Sequence, residues 1–261
     1  MTDQSRGLVH EALSKAPQAT LMFWIVKICA TTVGETGGDA LSMSLNLGYA
    51  VSTLIFLAFF AAAMGLQVRA HRYHPLIYWL VVVATTTVGT TTSDYFDRSL
   101  HFGYVLSSAI LFGAVLVVLA AWKLTTGKIR ADKIVGRKDE IFYWLTILVS
   151  NTLGTALGDF SADSTGLGLG FEKGAILFGV LILIVALAHW RKWAPQAVLF
   201  WAAYVLTRPL GATLGDTLTK PIAIGGLNLD RFAATGVIVL AMVVLVLLSP
   251  RLRRPATAIS S

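Results

Sequence analysis

One short motif occurs four times in this 261-residue chain, and it limits the possible folds more than any other feature. Each copy has the form G-x-x-x-[GS]-D, in which a glycine precedes an aspartate by five positions. The glycines are Gly34, Gly89, Gly154 and Gly211, and the aspartates are Asp39, Asp94, Asp159 and Asp216. Successive copies lie 55 to 65 residues apart, and each follows an apolar segment that begins with aromatic residues. Self-similarity at such a period is typical of tandem structural repeats, so the motif predicts four similar units.

The composition indicates where these units lie. The chain is 56% hydrophobic and 13% charged, whereas a soluble domain is about 25% charged. Its length allows roughly eight membrane spans of about 20 residues. In each unit a first apolar segment leads into the motif and a second ends in basic residues. The sequence therefore predicts an all-α membrane protein with eight transmembrane helices. These would form four parallel helical-hairpin repeats around a central axis, with the first helix of each hairpin broken near the Gly/Asp motif.

The predicted boundaries follow the apolar segments and the polar joints between them. They are an N-terminal tail (1–20), repeat 1 (21–74), repeat 2 (75–127), a linker (128–140), repeat 3 (141–194), repeat 4 (195–250) and a C-terminal tail (251–261). Fifteen of the 21 Lys and Arg residues lie in the tails, the linker and the joints that follow the second segments. By the positive-inside rule this side is cytoplasmic, which predicts both termini inside the cell. The net charge of +7 thus reflects topology, and nucleic-acid binding is not expected.

A polar stripe leads to each aspartate at helical spacing. Residues four apart share one face of a helix. The candidate ion-binding residues on or next to these stripes are Thr31, Glu35, Asp39, Thr86, Thr90, Asp94, Asp97, Asn151, Thr155, Asp159, Asp163 and Asp216. An isolated carboxylate in lipid costs at least about 2.5 kcal/mol. We therefore expect the stripes to face one another, with the carboxylates near the outer half of the bilayer.

Two basic residues lie on the same stripes. Lys27 is predicted to neutralise Glu35 or Asp39, and Arg208 to neutralise Asp216 or an aspartate of a neighbouring unit. The motif glycines Gly34, Gly89, Gly154 and Gly211 are predicted to break the first helices, since glycine allows close approach and irregular backbone. Aromatic residues near the predicted span ends, among them Trp79, Tyr143, Trp144, Trp190 and Trp193, are interpreted as interfacial anchors.

The four motif copies, especially KICATTVGETGGDALSMSLNLGYA (27–50), resemble a bacterial integral-membrane protein family defined by a tandem repeat of unknown function. This resemblance covers nearly the whole chain and implies a multi-pass protein of the bacterial inner membrane. It implies no particular activity. A weaker similarity links Gly38-Asp39, Gly158-Asp159 and Gly215-Asp216 to the Gly-Asp repeats of manganese/calcium exchangers.

Carboxylate and hydroxyl oxygens suit hard divalent cations, and no Cys/His cluster is present for a softer metal. The favoured hypothesis is a transporter of a divalent metal cation, preferably Mn²⁺, that exports the ion in exchange for protons. Its partners would be the lipid bilayer, the metal and protons. The alternatives are a cation channel, a transporter of a small anionic substrate, and a membrane protein with a structural or interaction role. No cofactor is expected, and no enzyme motif is found. The sequence leaves oligomerisation open.

Overall fold

The computed structural model describes residues 17–70, 72–127, 129 and 137–249. Within these ranges the chain forms eight α-helices and no strand. They are α1 (Leu21–Asp39), α2 (Gly48–Arg69), α3 (Pro75–Asp94), α4 (Gly103–Thr126), α5 (Arg137–Ala162), α6 (Gly170–Trp190), α7 (Gln196–Thr219) and α8 (Arg231–Leu248). The predicted C-terminal tail and most of the predicted N-terminal tail and linker lie outside the described residues.

Six of the eight helices are long and apolar enough to cross a membrane: α2, α3, α4, α5, α6 and α8. The chain is therefore a multi-pass membrane protein, as the composition predicted. The other two helices, α1 and α7, hold most of the buried charges described below. Each of them occupies the same place in its repeat as α3 and α5 do in theirs.

The helices form an inner ring and an outer layer. The first helices of the four repeats pack side by side in the closed order α1, α3, α5, α7 and back to α1. The second helices lie outside this ring and expose large apolar side chains such as Leu54, Val117, Leu183 and Leu240. Lipid tails are as apolar as these side chains, so the exposed aliphatic side chains of the outer helices suit contact with lipid.

The predicted helical hairpins are not the main packing units. Each outer helix packs chiefly on the inner helix of the following repeat: α2 on α3, α4 on α5, α6 on α7, and α8 on α1. Contacts between the two helices of one repeat are few. The inner helices pack directly on one another, so the outer helices lie outside the ring. Each outer helix covers the inner helix of the repeat that follows its own. The last repeat thereby closes onto the first.

The motif glycines do not break the inner helices, contrary to the prediction. Gly34, Gly89, Gly154 and Gly211 all lie inside continuous helices. Each is instead a point where a neighbouring helix comes close. A Cβ atom added at Gly89 would lie 3.0 Å from the backbone nitrogen of Thr152, and a Cβ atom added at Gly211 would lie 2.8 Å from the backbone of Thr31. The irregular backbone comes after the aspartates instead, in the π-helical turns Ala40–Ser44 and Tyr95–Ser99.

The glycine contacts repeat around the ring in one register. The motif glycine of each repeat faces the residue eight positions before the aspartate of the next repeat. The four facing residues are Thr86, Asn151, Arg208 and Thr31. The small residue before the aspartate does the same one turn further on, where Gly38 meets Thr90 and Gly215 meets Glu35. Small residues four apart thus form the interface, as in other membrane helix pairs.

Aromatic residues close the end of the ring where the inner helices begin. A Phe-Trp or Tyr-Trp dipeptide lies 16 and 15 positions before each aspartate: Phe23-Trp24, Tyr78-Trp79, Tyr143-Trp144 and Phe200-Trp201. Ring centroids of neighbouring repeats lie 5.4 to 6.0 Å apart, from Phe23 to Trp79, Tyr78 to Trp144, Tyr143 to Trp201 and Phe200 to Trp24. Three of the predicted interfacial anchors, Trp79, Tyr143 and Trp144, are therefore buried core residues.

Candidate functional site

The polar stripes meet inside the ring and form successive layers four residues apart. Glu35, Asp39, Asp94, Asp159 and Asp216 are all buried, with at most 4% of each residue exposed. Each of the four inner helices thus contributes at least one buried carboxylate. Burying so many ionisable groups requires partners, since unpaired charges are costly to remove from water.

Three of these carboxylates form a compact cluster. One oxygen atom from each of Glu35, Asp39 and Asp216 lies within 4.8 Å of the other two. Glu35 and Asp39 are one turn apart on α1, and Asp216 comes from the adjacent helix α7. Oxygen ligands lie about 2.0–2.6 Å from Mg²⁺ or Ca²⁺, so a single hard cation fits between atoms at this separation. This acidic cluster, defined by Glu35, Asp39 and Asp216, joins the first and last repeats.

Lys220 places its ammonium group against the acidic cluster. Its Nζ atom lies 2.6 Å from Oδ2 of Asp39 and 3.1 Å from Oδ1 of Asp216. Lys220 follows the last residue of α7 and is itself 6% exposed. A second cation, Arg231 at the start of α8, lies 3.8 Å from Asp39. A positive charge of the protein thus occupies the position that a bound metal would take.

Arg208 pairs with an acid of another repeat. Its Nη2 atom lies 3.1 Å from Oε2 of Glu35 and donates a 2.6 Å hydrogen bond to the Thr90 hydroxyl. The predicted pairing of Arg208 with Asp216 is wrong, because the two residues lie eight positions apart along a continuous helix. That separation is about 12 Å. Arg208 instead reaches sideways to α1 and α3.

Lys27 does not pair with Glu35 or Asp39, which corrects the prediction. It is fully buried, and its Nζ atom has no hydrogen-bond partner in the part of the chain that the structure describes. The ammonium group lies 4.3 Å from the centroid of the Tyr204 ring. On the straight helix α1, Lys27 lies eight positions before Glu35 and twelve before Asp39. The neighbouring helix α7 is therefore nearer to its side chain than either carboxylate.

The acids of repeats 2 and 3 have different surroundings. Asp94, the last residue of α3, pairs at 3.1 Å with Arg98 in the π-helical turn that follows. Oδ2 of Asp159 is buried and lacks a hydrogen-bond partner among the described residues. Asp97 accepts a 3.4 Å hydrogen bond from Ser93. The carboxylate of Asp97 also interacts with the side chain of Ser107. Neither Asp97 nor Asp159 belongs to the acidic cluster.

Asp163 lies beyond the end of α5 and is half-buried. Although burial opposes its ionisation, hydrogen bonds from the Thr165 N–H and hydroxyl, both 2.8 Å, hold the pKa of Asp163 below its usual range. It also accepts a 3.4 Å hydrogen bond from Tyr104. These contacts make Asp163 part of the turn that leads to α6 rather than of the acidic cluster.

The predicted hydroxyl and amide ligands mainly join inner helices. Thr31 donates to the Thr207 carbonyl at 3.1 Å, and Thr86 donates to the Ala30 carbonyl at 3.1 Å. The Asn151 amide donates to the Thr85 hydroxyl at 3.0 Å. Thr155 bonds back to the carbonyl of Asn151 on its own helix. Only Thr90 reaches the charged groups, where it contacts Arg208 and lies 3.4 Å from Glu35.

The sequence contained signals for some of the partners that the prediction missed. Lys220 lies one step beyond Asp216 on the stripe of repeat 4, and Arg98 lies at the same distance after Asp94, so extending the stripe of repeat 2 by one step would have indicated its pair as well. The aromatic layer was signalled by its dipeptide at a constant distance from each aspartate. Arg231 gave no such signal, because it begins the outer helix α8 and is separated from the stripe of repeat 4 by the loop that follows α7.

The ring of inner helices, the apolar outer layer and the buried charges define a multi-pass helical membrane protein built from four tandem repeats. The chain belongs to the family described as a Repeat of Unknown Function (DUF347), whose model matches residues 22–73, 77–128, 142–193 and 199–255. Each match includes one inner helix and one outer helix. Comparison with curated proteins and with solved structures finds no match.

Proposed function

We propose that this protein is a secondary transporter of a divalent metal cation, preferably Mn²⁺, that exports the ion across the bacterial inner membrane in exchange for protons. Both termini lie in the cytoplasm in this proposal, and all eight helices cross the membrane. The acidic cluster of Glu35, Asp39 and Asp216 is the ion-binding site. Thr90 lies close enough to Glu35 to complete the polar surroundings of a bound ion.

The observation that carries the proposal is the convergence of three buried carboxylates within 4.8 Å on helices that close the ring. Carboxylates suit Mg²⁺, Ca²⁺ and Mn²⁺ rather than softer metals. A buried cluster of this kind is costly unless a cation neutralises it. In lipid-embedded proteins, ionisable residues facing the interior of a helix bundle often mark the route of an ion or proton.

Lys220 gives the site a cation of its own. Its ammonium group contacts Asp39 and Asp216, so a metal ion must displace it to reach both carboxylates. When the metal leaves, Lys220 or protons neutralise the cluster again. The site therefore alternates between an internal and an external cation, which is the exchange that a secondary transporter requires.

A passive cation channel fits these contacts less well. Buried Arg208 and Lys220 place fixed positive charges beside the acids, and such charges oppose cation flow. The layer of aromatic side chains also fills the end of the ring where the inner helices begin. These features fit a site that opens to one side at a time.

The proposal is tested with purified protein in liposomes, with Mn²⁺ flux measured with and without an imposed pH gradient. We expect the gradient to stimulate Mn²⁺ flux, and Mg²⁺ and Ca²⁺ to compete more strongly than Zn²⁺. Changing a residue that only hydrogen-bonds to a metal ligand costs on the order of 10–100-fold in metal affinity. Asp39→Asn and Asp216→Asn should therefore reduce flux by at least about tenfold.

The matched control is Glu172→Gln, which removes an exposed acid at the start of α6, outside the ring. This variant should keep wild-type flux. Lys220→Met should bind Mn²⁺ more tightly and lose its response to the pH gradient, because the competing cation is gone. Undiminished flux in both aspartate variants would refute the site, and flux indifferent to the gradient would favour the channel.

A further inference from the structure

A second group of polar side chains lies in the ring, between the aromatic layer and the acidic cluster. It consists of Lys27 on α1 with Tyr204 and Arg208 on α7. All three residues are fully buried, with 0% of each exposed. We call these three residues the donor cluster. None of them is assigned to metal binding by the proposed function.

The donor cluster holds four buried polar atoms without a hydrogen-bond partner among the described residues. They are Nζ of Lys27, the hydroxyl of Tyr204, and Nε and Nη1 of Arg208. The large majority of buried polar groups in proteins are hydrogen-bonded. Four unpartnered atoms on three adjoining side chains therefore call for a ligand that accepts hydrogen bonds.

The three side chains adjoin one another. The Lys27 ammonium lies 4.3 Å from the centroid of the Tyr204 ring. Tyr204 and Arg208 are one turn apart on α7, and Lys27 and Arg208 lie close enough to repel each other electrostatically. The contact with the Tyr204 ring offsets part of the desolvation of Lys27, but it satisfies none of the ammonium N–H donors.

The charges of these residues indicate the charge of the ligand. Glu35 pairs with Nη2 of Arg208, so this ion pair is internally balanced. Asp39 and Asp216, the next acids along the ring, are occupied by Lys220. The ammonium of Lys27 is left without a negative partner among the described residues, and one negative charge would balance it. An acceptor-only ligand with a single charge matches both the donors and this balance.

We infer that the donor cluster of Lys27, Tyr204 and Arg208 binds a small monovalent anion, such as a halide or a formate-sized carboxylate. Lys27 supplies the charge, Arg208 offers the two nitrogen atoms that do not contact Glu35, Nε and Nη1, and the Tyr204 hydroxyl donates the remaining hydrogen bond. The anion site is independent of the metal proposed above, since it uses none of the three acids of the acidic cluster as a ligand.

The test measures thermal unfolding of the purified protein as chloride or formate replaces gluconate at constant ionic strength, without added metal. Gluconate serves as the reference because it is too large for a site between packed side chains. A ligand that binds only the folded state raises its stability in proportion to the logarithm of its concentration above Kd. We expect the unfolding temperature to rise with the logarithm of the chloride or formate concentration, and chloride binding to saturate at one ³⁶Cl⁻ per chain in equilibrium dialysis.

Three variants distinguish this site from general salt effects. Lys27→Met should abolish both the rise in unfolding temperature and chloride binding. Tyr204→Phe keeps the ring beneath Lys27 but removes one donor, so the affinity should fall roughly two- to tenfold. Lys173→Met removes an exposed lysine on α6 and should behave as wild type. If Lys27→Met does not fold, two other variants test the anion site. Lys27→Arg keeps the charge, and Tyr204→Phe removes one donor.

The inference is overturned if stability is the same in chloride, formate and gluconate, or if the response survives unchanged in Lys27→Met. A fully folded Lys27→Met that is more stable than wild type in gluconate, together with no chloride binding by wild type, would identify Lys27 as a neutral buried amine. None of these measurements involves metal flux, so failure of the anion site and failure of the transport proposal are separate results.

Discussion

The ring has two unlike sides, although its four inner helices pack alike. Repeats 1 and 4 bring together Lys27, Glu35, Asp39, Arg208 and Asp216, all buried. At the corresponding positions, repeats 2 and 3 place Val82, Thr90, Thr86, Asn151 and other uncharged residues before their aspartates. The glycine contacts are nevertheless in the same register on both sides. The repeat therefore sets the packing, and substitutions at a few stripe positions concentrate the charge on one side.

This contrast predicts that the ion pairs of repeats 1 and 4 contribute most to stability. Arg208→Met leaves Glu35 buried without its partner, and breaking a buried pair in this way typically costs about 3–5 kcal/mol. We expect a loss of that size in the free energy of unfolding, measured by chemical denaturation in detergent. Thr86→Val removes the residue at the same stripe position of repeat 2, and its loss should be only about 1 kcal/mol.

The double variant Arg208→Met with Glu35→Gln provides the control. It removes both charges, so much of the stability lost in Arg208→Met should return. Equal losses in Arg208→Met and Thr86→Val would mean that the two sides of the ring do not differ in energy.

Two further ion pairs sharpen the comparison. Lys220 is buried and contacts Asp39 and Asp216 on two different helices. By contrast, 37% of the Arg98 side chain is exposed, and among the described residues it pairs with Asp94, four positions earlier in the chain. Lys220→Met should therefore destabilise the protein by about 3 kcal/mol. Arg98→Met leaves only the buried Asp94 without its partner, and its loss should be about 1–2 kcal/mol.

The two variants are compared by thermal unfolding in low and high salt. The effect of Arg98→Met should shrink as salt rises, because exposed charges are screened and buried ones much less so. A larger loss for Arg98→Met than for Lys220→Met would contradict the assignment of the dominant ion pairs to repeats 1 and 4.

Packing should not follow the same contrast. Gly89→Ala and Gly211→Ala add a Cβ to opposite interfaces of the ring, where backbone atoms of the next helix lie within 3.0 Å. Overpacking of this kind costs about 1–3 kcal/mol, and we expect similar losses at both positions. Gly113→Ala lies on the outer helix α4, where no other described part of the chain comes within 4 Å of the added Cβ. This change should be neutral or stabilise the helix by up to about 1 kcal/mol.

Comparison of the unfolding free energies of these three variants tests whether the ring is symmetric in packing. Unequal losses at Gly89 and Gly211 would show that packing also differs between the two sides. If Gly113→Ala lost as much stability as the two ring variants, the outer helix α4 would be packed more tightly around Gly113 than the structure indicates.

Much of this architecture can be predicted from the sequence, because it depends on local pattern. The apolar segments are long enough to span a bilayer, and the motif recurs with its stripe at helical spacing. The multi-pass helical class, the four repeats and the polar face of each inner helix follow from these patterns. The prediction that glycines such as Gly34 and Gly211 allow neighbouring helices to approach closely was correct. The predicted consequence, a break in the helix, was wrong. In the structure they hold neighbouring helices together instead of breaking them.

The partners across the ring were decided only by the tertiary structure. Arg208 and Glu35 are 173 residues apart in the chain and meet because the fourth inner helix closes onto the first. The same closure brings Lys220 to Asp39 and places Lys27 over Tyr204. A helical stripe fixes which residues share a face, since that depends on the turn of one helix. It does not fix which helix that face meets, because the choice depends on how all four inner helices pack at once.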